Sequence, residues 1–502
     1  MERDSLKQRT FFSVIWTAIS VGWSAIAMFV IFAVLTRLLD PHVFGIYALS
    51  TVFLEVTKII ATGGLSDAVI REKALDEELA DTAFWANVGF GALAGLAVFV
   101  LADPYAAVIA QPEVAPVLRW LAPFIPITSL AGIHMARKLK DFGHKVVTIR
   151  TVTNTFLGGG AAILSAYIGL GVWSLVIQAA VNSVLGVIFA WQSFRWVPSL
   201  RFSWRRLRSI LSFSSSIMIT RILWLLLVRV QDIFIGRSLG AEAVGNYRVA
   251  WRTMDLIGQA VVQPMGSVAL VTFSHLQDDQ KRFEAAYRRM TGLASLLTFP
   301  LIFGYGLLST EFIRVLFGSK WGDSAIAAKV LVLMAIPFTL NYFTGPAIAA
   351  KGASRATLMV AALQLSLTVV LSFVAAPFGL AAVAGAYVIR AYLTMPYGQY
   401  ALYKYTAIHP LKSLSVVWPP FVASLCMIGV LLAASPLLHD WFSKDVAFLI
   451  ANIMLGAVVY FVGLLLFGRS LLASHINALS PLLAPMNSWR QQAVSWLRPM
   501  RG

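Results

Sequence analysis

Long apolar stretches without an ionised side chain are the feature that most restricts what this 502-residue chain can fold into. A helix needs about 20 apolar residues to cross the hydrocarbon core of a bilayer. Nine stretches without Asp, Glu, Lys or Arg give a first count of such helices: 11–36, 82–102, 120–136, 151–194, 290–310, 330–350, 356–389, 413–439 and 446–468. Charged residues are only 13% of the chain, too few to cover a water-soluble surface. The sequence therefore predicts an integral membrane protein.

The count of membrane spans rises to 14 when the longest and the interrupted stretches are included. The stretches 151–194 and 356–389 are each long enough for two helices, with Gly and Pro residues near 169–171 and 377–379 that predict tight turns. Three further apolar stretches are interrupted by charged residues: 43–65, 209–236 and 244–267. The prediction is an all-α polytopic membrane protein with about 14 transmembrane helices. Because this number is even, both termini should lie on the same side of the membrane.

The distribution of basic residues predicts which side that is. Lys and Arg outnumber Asp and Glu by 40 to 23, a formal net charge of +17. They cluster in 137–150, 195–208 and 281–289, which fall on one side of a chain with 14 spans. Basic loops are retained in the cytoplasm, beside anionic lipid, so this excess does not indicate binding to nucleic acid. We expect a multi-pass protein of the bacterial inner membrane, with both termini in the cytoplasm and an amphipathic cytoplasmic tail at 469–502.

A short internal repeat lies at an offset of 200 residues. Residues 37–47 and 237–247 share Arg, Leu, Gly and Tyr at matching positions. Each copy is the predicted outer turn between two helices, the first with the second and the seventh with the eighth. The repeat therefore predicts two pseudo-symmetric six-helix lobes, followed by an added pair of helices. Their bounds are 1–205 for helices 1–6, 206–410 for helices 7–12, and 411–468 for helices 13 and 14.

Seven ionised residues fall within predicted helices 2, 7 and 8: Glu55, Lys58, Arg221, Arg229, Asp232, Arg252 and Asp255. Each would cost about 2.5–3.5 kcal/mol at the centre of a bilayer, and together more than the typical net stability of about 5–15 kcal/mol. They are therefore expected to face one another or a water-filled cavity between the lobes. Alternatively, three pairs spaced three residues apart would neutralise one another within a helix, leaving only Arg221 over. Both interpretations stay open at the level of sequence.

Several motifs resemble one family of membrane transporters. The sequence TRLLDPHVFGIYAL at 36–49 follows the first predicted helix, and part of it recurs at 239–247. Gln263 and Pro264 lead to FSHLQ at 273–277, and LFGSKW lies at 316–321. Together these motifs resemble the polysaccharide transporter branch of the MOP flippase superfamily, whose Wzx-like members export lipid-linked oligosaccharides.

The resemblance implies a fold of the MOP/MATE type and a transport function. Two lobes would form a V around a cavity, and alternating access would move an undecaprenyl-pyrophosphate-linked oligosaccharide to the outer leaflet for surface polysaccharide biosynthesis. The implied partners are that lipid-linked oligosaccharide, membrane lipids, and a polysaccharide polymerase or export machinery. A drug/cation antiporter of the same superfamily is the first alternative, although its cavity would favour acids over arginines. A membrane-embedded polymerase or glycosyltransferase is the second, although no extended outer loop is present.

Roles can then be assigned to the charged and aromatic residues of the predicted cavity. Guanidinium groups suit phosphate oxygens, so the candidate ligands of the pyrophosphate are Arg221, Arg229 and Arg252. Candidates for coupling to protons, or for structural ion pairs, are Glu55, Lys58, Asp232 and Asp255. Weaker candidates for stacking on sugar rings, with packing as the alternative, are Trp23, Trp224 and Trp251.

Other patterns in the sequence are less informative. No phosphate-binding loop or metal-binding cluster is found, so we predict no catalytic residue, no metal site and no cofactor. The segment 67–81 has six acidic residues against two basic ones and is interpreted as a solvated face.

Overall fold

The structure, a computed structural model, describes Trp23 and residues 26–72, 76–141, 144–441, 445–469 and 471–473. Nearly all of these residues are helical, and no strand occurs among them. The start of the first predicted span and almost all of the predicted tail at 469–502 lie outside the described residues. The prediction of an all-α polytopic fold is confirmed.

Twenty α-helices follow one another in the described part of the chain: α1 (Ile26–Leu38), α2 (Pro41–Thr62), α3 (Leu65–Arg71), α4 (Glu77–Val100), α5 (Ala102–Val108), α6 (Val114–Leu121), α7 (Phe124–Lys140), α8 (His144–Tyr167), α9 (Trp173–Ser193), α10 (Trp204–Leu239), α11 (Ala241–Ile257), α12 (Gln263–His275), α13 (Gln280–Leu307), α14 (Ser309–Leu316), α15 (Gly322–Leu331), α16 (Ala335–Ala350), α17 (Ser354–Ala375), α18 (Leu380–Thr406), α19 (Pro410–Trp441) and α20 (Asp445–Phe467). Short π or 3-10 segments join some of them, including Gly258–Val262 between α11 and α12.

Within the described ranges, ten helical segments are long and apolar enough to cross a membrane: Pro41–Thr62, Glu77–Val100, Val114–Lys140, Trp173–Ser193, Ala241–His275, Gln280–Leu307, Ser319–Ala350, Ser354–Phe378, Pro410–Trp441 and Asp445–Phe467. The remaining predicted spans fall on α1, α8, α10 and α18. Each of the 14 predicted spans therefore coincides with a helix, while the number that cross the membrane stays a prediction.

The two longest uncharged stretches each form two helices, as the sequence predicts. Between α8 and α9 the backbone turns at Gly169 and Gly171, with φ angles of 87° and 55°. Between α17 and α18 it turns at Gly379, with φ of 99°. Positive φ angles of this kind favour glycine because it has no Cβ.

The chain divides into two compact units. Unit 1 comprises Met1–Ala260, Phe312–Leu331 and Leu358–Thr394, and unit 2 comprises Val261–Glu311, Val332–Thr357 and Met395–Gly502. Unit 1 contains α1–α11 and α15, and unit 2 contains α12, α13, α16, α19 and α20. All seven charged residues singled out in the sequence belong to unit 1. The two lobes at 1–205 and 206–410, with the added pair at 411–468, stay a prediction.

The two copies of the internal repeat pack against each other in unit 1. Helix α2 begins beside α11, and Gly45 of α2 lies so close to Ala241 that a Cβ would overlap its carbonyl oxygen. In the same way, a Cβ at Gly245 of α11 would overlap the carbonyl oxygen of Pro41. The partners of one glycine are thus shifted by 200 residues from those of the other, as a pseudo-twofold relation requires.

The repeated arginines follow the same reciprocal rule. Arg37 donates hydrogen bonds to the carbonyls of Val315 and Leu316, at the end of α14. Arg237 donates to the carbonyl of Val108, at the end of α5. Each arginine therefore binds the unpaired carbonyls at the C-terminus of a short helix, where a cation also complements the helix dipole. Both contacts lie in unit 1 and hold the repeat turns in place.

The acidic segment 67–81 is solvated only in part: Glu72, Asp76, Glu77 and Glu78 are exposed, but some of its acids also have distant partners. Asp76 forms an ion pair with Arg206 at 2.6 Å. The side chain of Asp81 is buried and accepts a hydrogen bond from the backbone N–H of Ser199 at 3.0 Å. The partners lie more than 100 residues away, so local composition could not show that these acids are paired.

Candidate functional site

A cluster of charged side chains joins α2, α10 and α11 inside unit 1. Glu55 of α2 accepts a hydrogen bond from Arg229 of α10 at 3.2 Å. Arg229 lies 3.9 Å from Asp232, one turn further along α10. Asp232 also forms an ion pair with Arg248 of α11. The four residues, which we call the central cluster, carry two positive and two negative charges.

The central cluster is most deeply buried at Asp232. The Asp232 side chain is 0% exposed, whereas those of Arg229 and Glu55 are partly exposed. Beside it on α10, Gln231 donates to the hydroxyl of Ser372 at 3.1 Å and accepts from the hydroxyl of Tyr247. The buried carboxylate of Asp232 needs its two arginine partners, because an unpaired charge in a low-dielectric interior is strongly unfavourable.

Arg221 of α10 forms a separate ion pair with Asp67 of α3. The guanidinium nitrogen lies 2.9 Å from the Asp67 carboxylate, and the Arg221 side chain is 52% exposed. The alternative based on helical spacing left this arginine without a partner. The partner is instead 154 residues away, in the acidic segment that the sequence assigned to solvent.

Arg252 of α11 pairs with a carboxylate on its own helix. Its guanidinium lies 3.0 Å from Asp255, and Gln259 donates to the same carboxylate at 2.8 Å. The Asp255 side chain is 41% exposed, so this pair is less enclosed than the central cluster. Helical spacing of three residues predicts this pair and that of Arg229 with Asp232.

Lys58 of α2 does not follow the spacing rule. Glu55 pairs with Arg229 rather than with Lys58, and within the described residues Lys58 makes no ion pair. Lys58 is exposed, and the charges of both Glu55 and Arg150 act on it. Arg150 lies within α8, although the sequence placed it in a basic loop. Among the described residues, neither Lys58 nor Arg150 forms an ion pair with a carboxylate.

The three candidate tryptophans lie in different surroundings. Trp224 of α10 is half exposed, and Trp23 is exposed with its ring 5.6 Å from that of Phe156. Trp251 packs edge-on against Tyr387, with ring centroids 4.9 Å apart. Trp23 and Trp224 therefore present ring surface, while Trp251 is engaged in packing.

The sequence thus found most of the charged residues but missed some of their partners. The structure brings Glu55, Arg229 and Asp232 together and holds Arg221 and Arg252 on carboxylates of their own. It adds three residues that were assigned no role: Asp67, Arg150 and Arg248. The signal for Arg248 was its position one turn before Arg252 on α11. Among the described side chains, no group of three or more His, Cys, Asp and Glu residues could hold a metal ion.

Comparison with known proteins shows which family the chain belongs to. The family model described as "Polysaccharide biosynthesis protein" matches residues 34–326, more than half of the chain. The succinoglycan biosynthesis transport protein ExoT of Rhizobium meliloti is 28% identical over 63% of this chain and 65% of its own length, slightly less than two thirds. The lipopolysaccharide biosynthesis protein WzxC of Escherichia coli is 23% identical over 69% of this chain and 71% of its own.

Solved structures show the same fold at low sequence identity. The lipid II flippase MurJ superposes with a TM-score of 0.73 at 14% identity, covering 92% of this chain and all of MurJ. A multidrug resistance MATE transporter of the MOP superfamily superposes with a TM-score of 0.63 at 15% identity, covering 79% of this chain and 98% of its own. The predicted MOP/MATE-like fold is confirmed. This multi-pass membrane protein belongs to the polysaccharide biosynthesis protein family.

Proposed function

We propose that this protein is a flippase that moves a lipid-linked oligosaccharide across the bacterial inner membrane by alternating access. The observation that carries the proposal is the set of guanidinium groups on membrane helices α10 and α11, each held by a carboxylate. The names of ExoT and WzxC, a transport protein and a lipopolysaccharide biosynthesis protein, support the same assignment. The carrier would be undecaprenyl pyrophosphate, whose negative charge suits an arginine-lined path.

We infer that the pyrophosphate replaces carboxylates as the partner of the arginines. A phosphate oxygen accepts the same charge-assisted hydrogen bonds as a carboxylate oxygen, so an exchange leaves no guanidinium unpaired. Arg221 and Arg252 are the proposed first ligands, because Asp67 and Asp255 are partly exposed and can move aside. Arg229 would join when Glu55 withdraws, while the buried Asp232 stays in place.

Coupling and sugar contacts are assigned by the same reasoning. A carboxylate displaced by phosphate loses its positive partner, which makes Glu55 and Asp255 the proposed proton carriers. Lys58 would add positive charge beside Glu55, and Asp232 would be a structural ion pair. Trp23 and Trp224 present ring surface on which a sugar could stack. We also propose that both termini lie in the cytoplasm and that the protein works with a polysaccharide polymerase or export machinery.

A cation antiporter is the second candidate, and one observation favours it. Each of the three candidate arginines is neutralised by a carboxylate, so the charges of the site nearly balance. If the arginines are structural, the carboxylates would be the binding groups. Uptake of a lipid-linked oligosaccharide against that of cationic dyes, measured in vesicles with the purified protein, distinguishes the two functions.

The pair of Arg221 and Asp67 offers a direct test of the flippase. We expect Arg221→Ala to abolish export of the lipid-linked glycan at an unchanged protein level. Asp67→Asn keeps the guanidinium available to phosphate, so export should persist. The measurement is surface glycan in cells whose own flippase gene is deleted, with the protein level followed by immunoblot.

The two substitutions separate binding from structure because both break the same ion pair. Equal loss of export in Arg221→Ala and Asp67→Asn would mean that the pair itself matters and would contradict a phosphate ligand. Full export by Arg221→Ala would show that Arg221 is not a ligand of the pyrophosphate. Arg252→Ala is the corresponding substitution on α11 and should also abolish export. Asp255→Asn is not a matched control there, because Asp255 is a proposed proton carrier.

A further inference from the structure

An open groove of about 680 Å³ runs between α12 and α13, entirely within unit 2. One wall is formed by Met265 and Val268 of α12, and the other by Arg282, Ala286, Arg289 and Leu293 of α13. None of these residues belongs to the charged site in unit 1. The groove therefore needs an explanation of its own.

The aromatic contacts that join the two helices lie on a different face from the groove. Phe273 of α12 packs against Phe283 and Tyr287 of α13, with ring centroids 5.3 and 6.2 Å apart. Residues 282, 286, 289 and 293 recur at helical spacing along a different stripe of α13. The small side chain of Ala286 leaves space along this stripe. The aromatic contacts hold the hairpin together, and the space beside them stays open.

The groove has a polar end at the start of α13, which extends from Arg282 to Arg289, and is apolar beyond it. Arg282 lies in the first turn of α13 beside the connecting loop, and Arg289 follows two turns later. Leu293 lies 11 residues beyond Arg282, or about 16 Å along a helix axis. The whole lining is therefore about as long as one leaflet is deep, half of the roughly 30 Å hydrocarbon core. A molecule that fits has a polar head at the two arginines and an apolar tail that continues beyond them.

The charge at the polar end favours an anionic head. The Asp279 carboxylate lies 3.4 Å from the guanidinium of Arg282. It also caps α13 by accepting a hydrogen bond from the backbone N–H of Arg282 at 3.0 Å. Arg289 adds a second positive charge to the lining. The positive-inside rule places this loop on the cytoplasmic side. Basic pockets between membrane helices on that side bind anionic lipid headgroups.

We propose that the groove between α12 and α13 binds an anionic phospholipid of the cytoplasmic leaflet. The phosphate lies at Arg282 and Arg289, beside Ala286, and one acyl chain follows Val268 and Leu293 into the membrane. A zwitterionic lipid offers the same tail, but its headgroup carries a positive charge that the arginines disfavour. The site is separate from the transported substrate and holds whichever glycan is exported.

The test compares neighbouring arginines on the same helix. Native mass spectrometry of the purified full-length protein measures binding of phosphatidylglycerol and of phosphatidylcholine at increasing lipid concentration. We expect Arg289→Ala to weaken phosphatidylglycerol binding roughly tenfold, the effect of losing one charge-assisted hydrogen bond. Arg288→Ala removes the same charge from an exposed position outside the groove, and should leave binding unchanged.

A second variant tests the groove and guards against misfolding. Ala286→Trp fills the groove and should abolish binding while the melting temperature without added lipid stays unchanged. Equal affinity for the two phospholipids, or equal effects of Arg288→Ala and Arg289→Ala, would overturn the proposal. Undecaprenyl phosphate is added as a competitor. If it displaces phosphatidylglycerol at a lower concentration than phosphatidylglycerol itself requires, the groove is a carrier-lipid site and the proposal is wrong.

Discussion

At the scale of single residues, the most constrained side chain is the carboxylate of Asp232. It is fully buried on α10 and contacts Arg229 on its own helix and Arg248 on α11. An acid held between two arginines stabilises both of them in a medium that solvates neither. Asp232 therefore holds α10 and α11 together, whatever the protein transports.

This role predicts a loss of stability when the charge of Asp232 is removed. Asp232→Asn leaves Arg248 without its anionic partner and leaves Arg229 only Glu55. Removing one member of a buried ion pair costs roughly 3–5 kcal/mol, so the purified protein should melt at a clearly lower temperature. Thermal unfolding in detergent measures the shift.

The matched control is the same substitution at a more exposed pair. Asp255→Asn removes a carboxylate that is 41% exposed, and water can replace it as the partner of Arg252. Its melting temperature should stay close to that of the unmodified protein. If Asp232→Asn and Asp255→Asn lower the melting temperature equally, the buried pair stabilises the protein no more than the exposed pair does.

The sequence predicts which charged residues matter better than it predicts their partners. The cost of a charge in the bilayer singles out Glu55, Arg229 and Asp232, which the structure then brings together. Helical spacing finds a partner on the same helix, such as Asp255 for Arg252. It cannot find Asp67 for Arg221, because that pairing depends on how α3 packs beside α10. Tertiary contacts of this kind leave no periodic signal in the chain.

At the scale of helices, the uncharged stretches predict where the helices lie, and glycines predict where a long stretch turns between two helices. Both long stretches form two helices that turn at glycines with positive φ. The sequence could not show that α11 passes into a π-helix at Gly258–Val262 before α12 begins with Pro264 in its first turn. A π-segment reflects a single backbone register shift, for which residue types give no clear pattern.

The crossing of α2 and α11 leads to a prediction at this scale. Gly45→Ala places a Cβ on the carbonyl oxygen of Ala241, so the helices must separate. Overpacking of this kind costs about 1–3 kcal/mol, and thermal unfolding of the purified protein should show it. Gly89→Ala in α4 is the control, because a Cβ there meets nothing within 4 Å.

Two outcomes would contradict the description of this crossing. If Gly45→Ala is as stable as Gly89→Ala, the helices are not in backbone contact. If Gly45→Ala and Gly245→Ala add fully when combined, they do not act on one shared contact. We expect less than additive effects, because either substitution alone already separates the two helices.

At the scale of the whole molecule, the fold and family follow from the sequence and the orientation stays a prediction. The motifs at 36–49 and 316–321 led to the family, and both lie within the residues that the family model matches. The side of the membrane on which each loop lies depends on the charge of the loops, and the packing of the helices gives no information about it. The division into two units also follows tertiary contacts rather than the order of helices along the chain.

Cysteine labelling tests the predicted orientation. The one cysteine, Cys426, is exposed and is first replaced by serine. In that background, Ile168→Cys lies in a predicted outer turn and Val197→Cys in a predicted inner loop, both at exposed positions. A membrane-impermeant maleimide should label position 168 in intact cells, and position 197 only after lysis. The opposite pattern would invert the topology.

The contact between Gly45 and Gly245 also restricts how the two repeats can evolve. The two copies of the repeat retain few identical residues in their turns. Where α2 crosses α11, each copy presents its main chain to a glycine of the other. No substitution in one copy can make room for a side chain in the other, since the obstacle is an oxygen that every amino acid carries. Compensating mutations therefore cannot relieve this contact, and both glycines should persist while the rest of the repeat changes.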